Sequence, residues 1–254
     1  NLVRFRTKIR LLEKIGIDIL FLLPFSVNFS KFSGRYFIEN ILIKNIKVNN
    51  VLVGEDFKFG KNREGDISLL KEYADNNKFN LKFYTKKGYK GKDYSSSSIR
   101  NLINLGKLDE AYISLGYFWE VEGKVIKGNA KGRELGFPTA NLSYIYQISP
   151  SNGIYAGWVQ VEGEKIWRQA AISTGRRPHY NGVKLVLEVH ILFFSGNLYQ
   201  KRLRVAFVQK IRGEQKFDSE EGLINQMKND CQNIKNILKK KYITNDNTGH
   251  DAGP

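Results

Sequence analysis

Five β-prone segments follow one another in the second half of the chain: residues 119–126, 154–161, 165–173, 184–194 and 203–208. Turn residues stand between them, as in Ser151-Asn152-Gly153, Glu162-Gly163 and Asn181-Gly182. Strands at this spacing predict a compact antiparallel, Greek-key-like β-barrel. A helix is expected to close it over residues 219–241. Asp218 or Ser219 is its cap, Glu221 completes a D-x-x-E box, and Leu223, Met227, Ile234, Ile237 and Leu238 form its apolar face.

Before residue 116 the pattern is different. Apolar residues recur at helical spacing over residues 8–15, 33–43 and 67–76, and β-prone runs cover 17–23, 51–53 and 80–84. Alternating strand and helix predict a parallel, Rossmann-like sheet with helices on both faces. The run 17–23 is read as a buried strand; it is too short to span a membrane. Ligands of such sheets bind at the carboxyl ends of the strands, where VGEDFKFGKNREGD lies. The chain therefore reads as an incomplete α/β domain (1–115), a barrel domain (116–243) and a disordered tail (244–254).

Composition narrows the classes. One cysteine, Cys231, excludes an internal disulfide, and three histidines beside it leave few ligands for a closed zinc site. With no signal peptide visible, a cytoplasmic protein is expected. The net charge of +16 comes with inflated Lys, Asn and Ile, and the lysines are scattered. Charge clustering is the specific mark of nucleic-acid binding, so a nucleic-acid partner is disfavoured. A basic surface also suits polyanionic nucleotides.

The chemistry concentrates in two stretches. VIKGNAKGRELGFPTANL is a strand, a glycine loop with Gly128, Gly132 and Gly136, and an extended segment. Its spacing is not that of a Walker A loop. Thr139 and Asn141 lie two apart and share one side of an extended backbone. Two neutral oxygens with a triphosphate would suit Mg²⁺; a structural turn with Asn141 bonded to its own backbone fits equally. KLVLEVHILFF places Glu188 in a β-prone run with His190 on the same face. A carboxylate there is either a general base, sharpened by burial, or a residue on the wet face of a strand. Upstream, Ser95, Ser96 and Ser97 with Arg100 cap a helix or cradle a phosphate.

KGRELGFPTANL, GIYAGWV, LEVHIL and LRVAFVQKIRGEQKFDSEEGLINQMKND, in that order, closely resemble the riboflavin kinase module. VGEDFKFGKNREGD and SSSSIR resemble the later part of the FMN adenylyltransferase module. The order of modules is that of the bifunctional bacterial enzymes, and the resemblance covers about residues 6–238. It implies ATP-dependent phosphorylation of riboflavin to FMN, with riboflavin, FMN and ATP as small-molecule partners, no membrane partner, and Mg²⁺ entering with ATP. It implies Thr139 and Asn141 as Mg²⁺ ligands, Gly128 and Arg133 at the nucleotide, and Glu188 as the base for the ribityl 5′-hydroxyl. Arg212 and Phe217 would meet the flavin. Ser95, Ser96, Ser97 and Arg100 would hold ATP phosphates, and Asp56 and Phe57 would face the adenylyltransferase cleft. Gly213 stands where Asp or Pro is common, and STGRRPHY replaces the family's usual flavin-side turn. The family's G-x-F-D-G-x-H-x-G-H motif is absent, since no histidine precedes His179. The expectation is a chain that begins after that motif, makes FMN but not FAD, and has a destabilised first domain. A non-catalytic flavin or nucleotide binder is the alternative.

Overall fold

The computed structural model describes residues 1–246 apart from 86, 87, 90, 91, 129, 130, 144–146, 180 and 181. The Asn181-Gly182 turn and most of the expected tail therefore fall outside the described residues. The chain divides into two compact units, residues 17–94 and residues 1–16 joined with 95–254.

The smaller unit holds a two-stranded parallel sheet of β1 (Asn50–Gly54) and β2 (Asn80–Tyr84), in register from Asn50↔Asn80 to Gly54↔Tyr84. Helix α2 (Gly34–Tyr36) runs on as a π-helix over Phe37–Ile46, and α3 (Ile67–Asp75) links the strands. Both starts are capped: Ser33 Oγ accepts the Tyr36 N–H, and Asp66 accepts those of Ser68 and Leu69. Ile38, Phe59, Leu70 and Phe79 form the core. A short hairpin, β3 (Gly88–Tyr89) with β4 (Lys92–Asp93), follows.

The expected buried strand at 17–23 is not formed. These residues take no regular structure, and Ile19, Phe21 and Leu22 are 70%, 56% and 64% exposed. A strand needs a neighbour for its N–H and C=O groups. Among the described residues the parallel sheet has only β1 and β2, so the run pairs with neither strand despite its apolar composition.

The larger unit opens with α1 (Phe5–Lys14), ended by Gly16 at φ +82°. Then come α4 (Ser96–Asn104) and α5 (Leu108–Leu115). The barrel follows, with β5 (Glu120–Ile126), the short helix α6 (Lys131–Glu134) and β6 (Ala140–Ser143). It continues through β7 (Gly153–Val161), β8 (Trp167–His179), β9 (Gly182–Ile191) and β10 (Arg202–Arg212). The six strands close in the order β10-β5-β6-β9-β8-β7, antiparallel throughout.

Strand alternation sorts the side chains. Tyr155, Val159, Ile172, Leu187, Val189, Val205 and Phe207 are buried in the main core, together with Trp119. Ala156, Trp158, Ala206 and Val208 turn outward and are covered by Ile234 and Leu238 of α7 (Glu220–Asp246). Ser219 is the residue that caps α7, its Oγ accepting the Gly222 N–H at 3.0 Å. The helix runs to Asp246, three residues into the segment expected to be disordered.

Candidate active site

Gly128, Asn141 and Glu188 are brought together by strand register. Ile126 pairs with Asn141, and Asn141 pairs with Glu188, which on its other side pairs with Ser173. Directly opposed residues point to the same face, so Asn141, Glu188 and Ser173 form a row across β6, β9 and β8. The neighbours Ala140, Leu142, Leu187 and Val189 point inward and are buried. Glu188 is half-buried on this outer face.

The glycines have a steric reason. A Cβ on Gly128 would overlap the Asn141 carboxamide, and one on Gly132 would sit 2.5 Å from the Phe137 carbonyl. The Phe137 N–H returns to the Gly132 carbonyl at 2.7 Å, closing α6 onto the start of the P-T-A-N stretch. His190 adds a second tie, its Nδ1 lying 2.9 Å from the Pro138 carbonyl, with Phe137 edge-on to the ring at 5.5 Å.

A cavity of about 550 Å³ lies on the opposite, inward-facing side of β6 and β9, where Ala140 and Val189 line it. Arg133 and Thr139 line it with Val125, Val189, Ile191 and Phe194, and residues 195–199 complete its wall. A hydroxyl and a guanidinium above an apolar floor can take a flat ring with an anionic tail. Gly128, Asn141 and Glu188 are not among its lining residues. The 194–199 segment was not singled out from the sequence; its Ser195-Gly196-Asn197 turn residues directly after the long strand are the signal that could have found it.

Arg212 and Phe217 also come together, the guanidinium carbon 5.8 Å from the ring centroid. The guanidinium also pairs within the protein. Its Nε and Nη2 reach the Asp230 carboxylate at 3.0 and 2.8 Å, and Gln226 donates to the same carboxylate at 2.9 Å. Asp230 is buried, so this pair pins the end of β10 to α7. Sequence reading missed Asp230, which looks like any polar residue of a charged helix.

Ser95 caps α4, its Oγ accepting the Ser98 N–H at 3.1 Å. Ser96, Ser97 and Arg100 are exposed on the first turns of that helix. Asp56 and Phe57 lie in the smaller unit, just past β1, where the Phe57 N–H bonds the Gly54 carbonyl and its ring stacks on Phe59 at 5.4 Å. Among the described residues, no group of three or more His, Cys, Asp or Glu could hold a metal ion, and no helix is long and apolar enough to cross a membrane.

Fold and site together define a class: a six-stranded barrel with a glycine loop, a neutral oxygen pair and a strand glutamate, in one chain with an α/β unit. Family models for riboflavin kinase match residues 115–238 and for FAD synthetase residues 1–98. The bifunctional riboflavin kinase/FMN adenylyltransferase of Haemophilus influenzae is 35% identical over 92% of this chain and 76% of its own length. That of Escherichia coli K12 is 35% identical over 86% of this chain and 70% of its own, and that of Listeria monocytogenes 34% over 90% and 72%. A Streptococcus pneumoniae crystal structure described as a macrolide-efflux protein superposes with a TM-score of 0.84. It shares 29% identity over 92% of this chain and 75% of that one. The chain belongs to the bifunctional riboflavin kinase/FMN adenylyltransferase family.

Proposed function

We infer that the chain transfers the γ-phosphoryl group of ATP to the 5′-hydroxyl of riboflavin, giving FMN and ADP, in the cytoplasm. The carrying observation is the row in which Asn141, crowded by Gly128, stands directly opposite Glu188. Thr139 and Arg133, on the wall of the 550 Å³ cavity, support placing ATP there.

In this reading Arg133 and the backbone around Gly128 bind the nucleotide, and the apolar floor excludes water from the ring. Thr139 and Asn141 fit a hard cation, since both offer neutral oxygens and the missing Cβ of Gly128 leaves room for the Asn141 carboxamide beside the glycine loop. Mg²⁺, arriving with ATP, would supply charge neutralisation for the phosphates. Glu188 accepts the proton of the 5′-hydroxyl as that oxygen bonds to phosphorus and the bond to the β-phosphate oxygen breaks. Phe217, held over Arg212 by the Asp230 pair, is assigned to the flavin ring. Ser95, Ser96, Ser97 and Arg100, with Asp56 and Phe57, are assigned to the adenylyltransferase reaction of the complete enzyme. The barrel boundary near residue 116 belongs to this assignment.

The test is chromatography of products from riboflavin, ATP and Mg²⁺. The 254 residues contain no histidine before His179, so FMN without FAD is expected. FAD appearing as well would overturn the importance given to the histidine motif. Folded protein that binds flavin yet makes no FMN would replace the kinase with a binding protein.

Gly128→Ala probes the carrying observation. The added methyl must displace Asn141, and misplacement of a positioning group by about 1 Å costs on the order of 100-fold. A fall of about 10- to 100-fold in kcat/KM for ATP is expected, with little change in thermal midpoint. Unchanged kinetics would detach Asn141 from the nucleotide.

A further inference from the structure

A cleft of about 240 Å³ lies between α1 and the outer face of the barrel, away from Thr139, Asn141 and Glu188. Arg6 and Arg10 are one helical turn apart on α1, and Arg202 and Arg204 are alternate residues of β10, so each pair shares a face. Strand register sets Arg204 opposite Glu122 of β5 on one side and Gln160 of β7 on the other. Four arginines thereby meet in one cleft, with Glu122, Glu162 and Glu164 on its wall.

The arginines fall into two classes. Arg10 and Arg204 are held by the protein. Arg10 reaches Glu122 at 3.0 Å, and Arg204 reaches Glu120 at 2.9 Å and donates to Gln160 at 2.5 Å. Arg6 and Arg202 are not held. Among the described residues neither guanidinium makes an ion pair, a side-chain hydrogen bond or a ring contact. Arg202 meets Glu162 through its backbone N–H, at 3.1 Å. A third donor is orphaned beside them. Arg10 Nε is buried, and no described atom accepts from it. Buried donors are normally satisfied, so this one points to an acceptor from outside the protein.

We propose that this cleft binds a small phosphate-class oxyanion, held by the Arg6 and Arg202 guanidinium groups and the Arg10 Nε–H. Donors from three side chains suit a tetrahedral anion with three or four oxygens better than a planar carboxylate with two, and guanidinium forks match phosphate. The volume is below the roughly 300–1,000 Å³ of sites for larger organic ligands. That favours orthophosphate or pyrophosphate over a nucleotide. Two of the wall carboxylates are already neutralised, Glu122 by Arg10 and Glu164 by Arg168. Glu162 is exposed, where water and salt screen its charge. The bound anion bridges α1 to β10 and clamps the helix to the barrel. None of this rests on the kinase reading.

Calorimetric titration of the full chain with pyrophosphate, orthophosphate and AMP tests the site, without Mg²⁺ and at fixed ionic strength. Wild type is compared with R6A/R202A and with R133A, which alters the cavity assigned to ATP. Pyrophosphate or orthophosphate should bind wild type and R133A alike, and R6A/R202A at least tenfold more weakly. The same anion should raise the thermal midpoint of wild type and leave that of R6A/R202A unmoved. Weakening for the free anions but not for AMP identifies a free ion as the ligand. Weakening for AMP as well identifies a phosphate group carried on a larger molecule. Binding that falls in R133A and persists in R6A/R202A belongs to the other cavity and overturns the proposal. So does the absence of binding to wild type at millimolar anion. Without anion, R6A/R202A should melt close to wild type, since neither guanidinium has a partner in the protein. A clearly lower midpoint would show that both are structural and would overturn the premise.

Discussion

Glu188→Gln is expected to lower kcat for riboflavin phosphorylation by about 10²- to 10⁴-fold, the usual worth of a positioned general base. The amide keeps the size of the carboxylate and can still donate and accept hydrogen bonds, but it cannot take the hydroxyl proton. Leu187 and Val189, on either side, point into the core and are unaffected, so β9 keeps its register against β6 and β8. Riboflavin binding and the thermal midpoint should therefore stay close to wild type. Steady-state kinetics with a parallel flavin titration separates the two effects. A variant with wild-type kcat would leave Glu188 as a solvated residue on the outer face of its strand, and the proton would need another acceptor.

The row that joins Asn141 and Glu188 was legible in the sequence because its geometry is local to strands. Thr139, Asn141 and Glu188 follow from alternation along two β-prone runs, and the pairing of Asn141 with Glu188 needs only that these runs be neighbours. The inward residues Leu187, Val189, Val205 and Phe207 follow from the same period of two. What could not be read is partnership at long range. The run 17–23 has the composition of a buried strand, but pairing depends on a neighbouring strand, which composition does not carry. The pairing of Arg212 with Asp230, eighteen residues on and in another element, is equally invisible to strand alternation. Helix α1 continues the helix–strand alternation of the first half in sequence, while its contacts place it in the barrel unit. The signal for that last contact is spread over more than a hundred residues, and no periodicity reports it.

That contact supports the second large expectation. Glu120 and Glu122 of β5 are only 4% and 6% exposed. Arg10 of α1 reaches Glu120 at 2.5 Å and Glu122 at 3.0 Å; Arg204 of β10 reaches Glu120 at 2.9 Å. Burial opposes the charge on Arg10, but the two carboxylates outweigh it and hold the guanidinium above its ordinary value. Burial prevails at Arg204, which is pulled down although Glu120 pushes the other way. The N-terminal segment is bound at further points, with Trp119 Nε1 donating to the Leu2 carbonyl at 2.7 Å and Arg4 donating to the Glu122 carbonyl at 3.1 Å. Removing one member of a buried pair leaves an uncompensated charge and costs about 3–5 kcal/mol. Arg10 keeps a third of its side chain in water, so Arg10→Ala is expected to cost about 2–4 kcal/mol. For a unit of this size that is roughly 5–15 °C in thermal midpoint. The loss should reach the site, because β5 carries the paired carboxylates at one end and pairs with Asn141 through Ile126 at the other. A double-mutant cycle decides the cause. Arg10→Ala alone strands Glu122, whereas Arg10→Ala with Glu122→Ala removes both charges, so the double variant should be clearly less destabilised than the sum of the singles. Additive costs would mean that α1 is held by packing and backbone bonds, with the ion pair a bystander.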